Sequence, residues 1–436
     1  MSSRAILMSA GGAEQDYWIA TLGGATYDDA ESIAVDSSGN VYIVGQTDSQ
    51  GAGSYDALLA KYNASGTLQW QRVLGGATED YAQSIAVDSS GNVYIAGNTQ
   101  SQGAGGQDAL IAKYNTSGTL QWQRVLGGAS NDMAAGIAVD SSGNVYIAGY
   151  TQSQGAGGYE TLIAKYNTSG TLQWQRILGD TNADYANGIA VDSSGNVYIA
   201  GITASQGAPG SDALIAKYDT SGTIQWQRIL GSSVQASAGG IAVDSSGNVY
   251  IVGFTEVSFY LDILVAKYDT SGTLQWQRTL GSPTSTDNNF GLGIAVDSSG
   301  NVYITGYTPY QSAGVNDALI VKYNTSGTLQ WQRILGGTGN DGGTGIAVDS
   351  SGNVYISGFT SQGAGSFDAL IAKLPGDGSL TGTYGGFTYA VSTLTAATPT
   401  LTAATSTLTA ATSTLTAATS TLTAATSTLT STTITL

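Results

Sequence analysis

Ile33-Ala34-Val35-Asp36-Ser37-Ser38-Gly39-Asn40-Val41-Tyr42-Ile43 decides the architecture, because the chain writes it seven times. The string restarts at Ile85, Ile137, Ile189, Ile241, Ile294 and Ile346, in steps of 52, 52, 52, 52, 53 and 52 residues. A fixed period near 50, made of short β-branched and aromatic runs, predicts a β-propeller with one blade per repeat. In the third repeat the strands are predicted over 137–140, 144–148, 161–166 and 171–178. Asp140-Ser141-Ser142-Gly143 joins the first two strands and Asn167-Thr168-Ser169-Gly170 the last two. In each turn the Asx side chain caps the backbone and Gly accepts a positive φ.

The tryptophans show how the ring closes. Trp70, Trp122, Trp174, Trp226, Trp276 and Trp331 mark the fourth strand of six repeats, but the seventh stops at Ala372-Lys373-Leu374 without one. The remaining tryptophan, Trp18, opens a segment that aligns with the one at Trp70. The N-terminal strand is therefore expected to complete the seventh blade and remove the open sheet edge. The expected fold is all-β: a leader over 1–17, a seven-bladed propeller over 18–374, a linker over 375–392, and a Thr/Ala/Leu heptad tail over 393–436. The pattern D-x-x-G-N-V-Y-I-x-G-x-T, followed by Lys-Tyr and Trp-Gln, resembles the bacterial β-propeller repeat family SBBP. The resemblance runs from Trp18 to Leu374. It implies the fold and little about activity.

Composition removes whole classes of chemistry. The 436 residues include no Cys and no His, so disulfides, zinc fingers and His- or Cys-based catalysis are excluded. A net charge of -17 argues against nucleic acid. No apolar run approaches the roughly 20 residues of a membrane-spanning helix, and residues 5–8 are too short an apolar stretch for a signal peptide.

Thirteen of the 14 basic residues belong to the repeat, all but Arg4. An acid precedes each repeat Lys by five residues, as Asp56 precedes Lys61, and structural pairing is expected. The Asp of each VDSSG turn, such as Asp36, is read as a turn cap; the alternative, a calcium-holding ring, lacks a second recurring carboxylate. No metal or cofactor is expected.

Variation between repeats falls in two connections, from fourth to next first strand and from second to third. Both emerge on one rim, which makes that rim the candidate binding face. Twelve acids lie there and no Lys or Arg: Asp28, Asp29, Glu31, Asp48, Glu79, Asp80, Asp132, Asp180, Asp184, Glu256, Asp287 and Asp341. Tyr27, Tyr55, Tyr81, Tyr159, Tyr185, Phe259, Tyr260, Phe290, Tyr310 and Phe367 are interspersed. Flat rings beside short acceptors suit polyhydroxylated sugars. The candidate contact set is Tyr27, Asp28, Asp29, Tyr55, Asp80, Tyr81, Tyr159, Asp184, Tyr185, Glu256, Phe259, Tyr260, Phe290 and Tyr310. The bland alternative is that the rings shield sheet edges and the acids keep the protein soluble. Phe254–Leu261 breaks the loop pattern and marks blade 5 for a docking contact.

From Thr393 a strict heptad, Thr-Leu-Thr-Ala-Ala-Thr-Ser, places Leu394, Leu401, Leu408, Leu415, Leu422 and Leu429 seven apart. That is coiled-coil spacing, although four Thr/Ser per heptad weaken a helix. An odd period turns successive Leu to opposite faces of a continuous strand. A lone tail is expected to be disordered, leaving a self-associating stalk, as a trimer, or a linker. Residues 1–12 resemble the leader of structural proteins of tailed phages of aquatic bacteria. Together these features imply a non-enzymatic virion protein, a tail fibre or decoration, contacting other virion proteins and a host surface glycan or protein. The alternative is a bacterial surface or matrix adhesin that assembles through its tail.

Overall fold

Each repeat folds into one four-stranded antiparallel blade. In the third these strands are Asp132–Val139, Val145–Thr151, Glu160–Tyr166 and Leu172–Gly179. The computed structural model describes residues 17–397 except 208, 209, 232, 233, 283–286, 311, 313 and 364, and the backbone of five strands between 402 and 435. The leader lies outside the described residues. Among the described residues there is no helix, and the strands form seven sheets around one axis.

The second strand of each blade is buried almost end to end because both of its faces pack on neighbouring blades, so it lacks the usual alternation. The core clusters are accordingly shared between blades. Tyr42 and Val44 of blade 1, for example, pack with Ile85, Val93 and Ile95 of blade 2. On the rim of the short turns, Trp70 Nε1 donates to the Thr116 carbonyl of the next blade at 3.2 Å and Arg72 Nε to Gly118 at 2.8 Å. The Arg72 guanidinium lies 5.5 Å from the Trp70 ring centre.

Ring closure follows the sequence. Trp18–Gly23 pairs with Asp368–Leu374, Trp18 opposite Lys373 and Leu22 opposite Ala369. Trp18 Nε1 donates to the Ala64 carbonyl of blade 1 at 3.2 Å, the same reach made by the other tryptophans.

The repeated charges behave differently from the expected acid–Lys pairs. Asp56 and Lys61 sit towards opposite ends of one strand. Lys61 Nζ lies 4.9 Å from the Tyr42 ring centre, whereas Asp56 Oδ2 accepts the Ala52 N–H at 2.7 Å. The VDSSG Asp is a turn cap: Asp36 Oδ1 accepts Ser38 and Asn40 N–H at 2.9 Å, and Oδ2 accepts Asn40 Nδ2 and Tyr42 Oη at 2.8 and 3.0 Å. Burial opposes its charge, but these bonds outweigh it and hold the carboxyl below the usual Asp value.

The C-terminal segment departs most from expectation. In the stretch read as a linker, Gly382–Tyr384 and Phe387–Val391 form a hairpin, and the second strand pairs with Leu329–Gly336 of blade 6. The heptads then continue around the ring as fifth strands, one per blade. Thr395 stands opposite Gly281, Thr402 opposite Gly231, Thr409 opposite Gly179, Thr416 opposite Gly127, Thr423 opposite Gly75 and Thr430 opposite Gly23. The repeat thus advances one blade per heptad, and its last strand covers the N-terminal strand. The odd period is no obstacle, since each Thr-Ala-Ala-Thr restarts its own pairing on a new sheet. Leu394 is buried inside the chain's own core, beside Leu280 and Ile334, not on an open seam. Leu401, Leu408, Leu415, Leu422 and Leu429 lie outside the described residues.

Candidate functional site: an aromatic rim over an axial cavity

Several of the variable residues, Tyr81, Tyr185 and Phe290 among them, are held on strands rather than on loops. The first strand of blade 3 begins at Asp132, five residues earlier than predicted, and its second strand runs on to Thr151. Cross-strand neighbours there differ in each of blades 2–7: Tyr81 with Asn98, Met133 with Tyr150, Tyr185 with Ile202, Ser237 with Phe254, Phe290 with Tyr307, Gly342 with Phe359. Gly97 is needed beside one such pair, because a side chain there would collide with the Tyr81 carbonyl.

One residue further in, a β-bulge interrupts the first strand of six blades, as between Ala82 and Ser84. A bulge leaves its extra residue out of the ladder. Gln83, Ala135, Asn187, Gly239, Leu292 and Thr344 occupy these positions and, with Glu31 of blade 1, line an axial cavity of about 490 Å³.

The aromatic rings form a continuous arc across five blades, and Phe254 at its end lines the cavity. Tyr81 stacks on Tyr55 at 5.7 Å, Tyr55 meets Tyr27 at 5.9 Å, Tyr27 meets Phe367 at 5.6 Å, and Phe367 meets Phe359 at 5.5 Å. Phe359, Tyr307, Phe290 and Phe254 extend it at 6.4, 4.9 and 5.6 Å. A separate triad, Tyr150, Tyr159 and Tyr185, occupies blades 3 and 4 with centroids 4.9–6.3 Å apart. Tyr150, Tyr307 and Phe359 were missed in the sequence reading. Their signal was present in the residue after Gly in VYIxGxT, which is Gln46, Asn98, Tyr150, Ile202, Phe254, Tyr307 and Phe359 in turn.

Three acids expected at the contact face are instead buried braces. Asp28, Asp80 and Asp184 are each 0% exposed. Asp80 Oδ2 accepts the Gly76 N–H and the Ser101 hydroxyl, both at 2.7 Å. Asp28 does the same with Gly24 and Ser49, and Asp184 with Asp180 and Ser205. A buried carboxylate requires such donors, and here they tie two loops together. Tyr310 packs against the blade 5–6 core. Glu256, Phe259 and Tyr260 lie on the longer hairpin of blade 5, Val249–Val257 with Tyr260–Tyr268. Phe259 is 91% exposed at its tip, with φ of 76° after Ser258 at 53°. Both turn residues are thus in the left-handed region, which a bulky side chain seldom occupies.

Glu31 is the acid that lines the cavity, and Asp29 is buried behind it. Asp29 Oδ2 accepts Tyr27 Oη and Gln46 Nε2, each at 2.9 Å. Burial raises the Asp29 pKa against those bonds, and the same burial raises the Tyr27 hydroxyl, with the Asp29 charge adding to it. Glu31 is pushed up from 4.5 to about 7 by burial, by the Asp29 charge and by a hydrogen bond to Asp29. Below pH 4.5 both the folded and unfolded chain hold this proton. Between 4.5 and 7 only the folded chain does, so the Glu31 contribution to stability falls as pH rises through that window. Glu31→Gln is expected to flatten the thermal midpoint between pH 5 and 7 and to raise it at neutral pH. Parallel melts of the two proteins across that range measure the difference, and identical slopes would remove Glu31 as the titrating group.

Comparison with known proteins gives the same architecture. The β-propeller repeat family SBBP matches residues 18–51, 69–103, 121–155, 173–206, 225–260, 275–308 and 330–362. A second β-propeller family, a domain of unknown function, matches 37–68, 89–120 and 141–172. The regulatory protein FlaEY of Caulobacter vibrioides is 26% identical over 194 residues, covering 36% of this chain and 20% of that protein. An uncharacterized WD repeat-containing protein, L264, of Acanthamoeba polyphaga mimivirus is 21% identical over 228 residues, covering 37% and 16%. The matched segments span a fifth or less of those relatives. Among solved structures, the polysaccharide lyase Uly1 aligns at 10% identity over 81% of this chain and 91% of that one, with a TM-score of 0.48. Sqt1 from Chaetomium thermophilum aligns at 11% over 77% and 81%, with a TM-score of 0.44. At such identities the likeness is one of fold alone. Seven matched repeats, each beginning at the fourth strand of one blade and ending at or beyond the end of the second strand of the next, place this chain in the SBBP family of β-propeller repeat proteins.

Proposed function

We propose that the protein is a non-enzymatic carbohydrate-contacting propeller whose aromatic rim stacks sugar rings over the axial cavity. The observation that carries this is the unbroken arc of eight rings beside the polar side chains Glu31, Gln83, Asn187 and Thr344. Ring faces take the apolar side of a sugar, and the amides, hydroxyl and carboxyl take its hydroxyl groups. Lys and Arg are absent from the variable segments, which favours a neutral glycan over an anionic one. Asp29 and Glu31 feel one another's charge, yet only Glu31 lines the cavity, with Asp29 held by Tyr27 and Gln46. The two carboxyls of a glycosidase instead flank the scissile bond about 5–9.5 Å apart, so the pair supports binding rather than hydrolysis.

The setting proposed with it is a virion surface, as a fibre or decoration, on the strength of residues 1–12; a bacterial surface adhesin is the alternative. A panel of bacterial surface glycans on an array, followed by calorimetry, tests the binding face. The double variant Tyr55→Ala/Tyr81→Ala is expected to lose at least about tenfold in affinity, the equivalent of ~1.4 kcal/mol. Binding that ignores the substitution, or no binding across the panel, would sink the reading.

A further inference from the structure

Two carboxyls meet at one corner of the ring in successive blades. At the junction of blades 1 and 2, Asp56 lies with Oδ1 against Gly75, where any side chain would collide with it. The adjoining Gly76 N–H is held by Asp80 Oδ2. Asp56 is 1% exposed and Asp80 0%. Each carboxyl spends Oδ2 on hydrogen bonds of the protein, yet Oδ1 of both has no hydrogen-bond partner. Asp56 is bonded by Ala52 and Gly53 and feels Asp80 through charge alone.

The next junction repeats the arrangement. Asp108 lies against Gly127, Asp132 accepts the Gly128 N–H, and Oδ1 of both is again without a partner. Asp108 is bonded by Gly105 and Ala104 and feels Asp132 through charge alone. Blade 6 supplies a contrast at the same position. There Asn289 replaces the second acid, and its side chain hydrogen-bonds Asp262 directly.

Two buried anionic oxygens that each lack a hydrogen-bond partner are costly, and a cation is what removes that cost. We propose that a hard divalent cation of the Ca²⁺ class bridges Asp56 with Asp80 and Asp108 with Asp132, tying neighbouring blades together. Oxygen-only donors select such an ion. The loop over the first site, residues 51–54, is exposed and gives water a route to complete the shell. Among the described residues no three acids cluster as a metal site, so each ion has two charged ligands and the rest are neutral. Affinity is then expected at the weak end for calcium, a dissociation constant of about 10⁻⁴–10⁻³ M.

The test uses the full chain and the variant Asp80→Asn/Asp132→Asn, which copies the arrangement at Asn289 and keeps an acceptor for the loop N–H groups. Equilibrium dialysis against ⁴⁵Ca²⁺ is expected to show two fewer bound ions in the variant. Calcium is expected to raise the thermal midpoint of the parent more than that of the variant, whereas in EDTA the variant melts higher. Equal stoichiometry with equal thermal response overturns the proposal. A parent indifferent to calcium, whose midpoint in EDTA falls as pH rises above the carboxylate range, overturns it too and assigns the pairs to a shared proton.

Discussion

Trp18→Ala is expected to destabilise the protein by about 3–5 kcal/mol, the range for emptying a buried large aromatic position. Trp18 is 1% exposed, stacks 6.0 Å from Tyr62 and bonds Ala64 of blade 1. It also anchors the one strand that joins the two ends of the array. Trp122 holds the equivalent place in an ordinary blade but is only half-buried. Trp122→Ala is expected to cost less, about 1–2 kcal/mol for the smaller apolar area returned to water. Urea denaturation of the two variants measures the difference. Equal losses would mean that the closing strand is no more critical than any other outer strand.

Deleting one heptad, residues 413–419, is expected to leave one blade edge bare. Each heptad serves one blade, so the strands that follow would move back one position. The last would then cover blade 1, and Trp18–Gly23 would lose its outer partner. Amide exchange read by mass spectrometry is expected to quicken roughly 10–100-fold over residues 18–23, as for an edge strand whose hydrogen bonds open locally. The fourth strands of the other blades should keep their protection. Removing everything after 392 is expected to bare six edges and to promote association through them. Light scattering of the uncut chain is expected to give a monomer, because the tail pairs within its own molecule. A trimer that dissociates on truncation would restore the stalk reading of the heptads.

The seven blades, the two capped turns and the closing strand were legible because each depends on local rules repeated seven times. Asp36 with Gly39 makes a turn by its own hydrogen bonds, and the displaced Trp18 betrays closure by counting alone. The tail was not legible. Thr-Ala-Ala-Thr has no strong preference of its own, and its strand conformation depends on an unpaired edge that exists only once the blade has formed. Reading its period as one continuous helix or strand missed a chain that changes partner every seven residues.

The binding face divides along the same line. Tyr27, Tyr55, Tyr81, Tyr159, Tyr185 and Phe290 could be assigned to one rim because their segments vary between otherwise constant turns. Which acids reach a ligand could not, since Asp80 and Glu31 look alike in sequence. Burial and two donors make Asp80 a brace, while Glu31, at the position that is bulged in the other blades, lines the cavity. The sequence alone determined the blade count, the closure and the side of the ring that varies, all of which follow from periodicity and short-range hydrogen bonding. Tertiary structure alone decided which variable residues meet, where the tail docks and which carboxyls face one another, because those depend on contacts between blades some fifty residues apart.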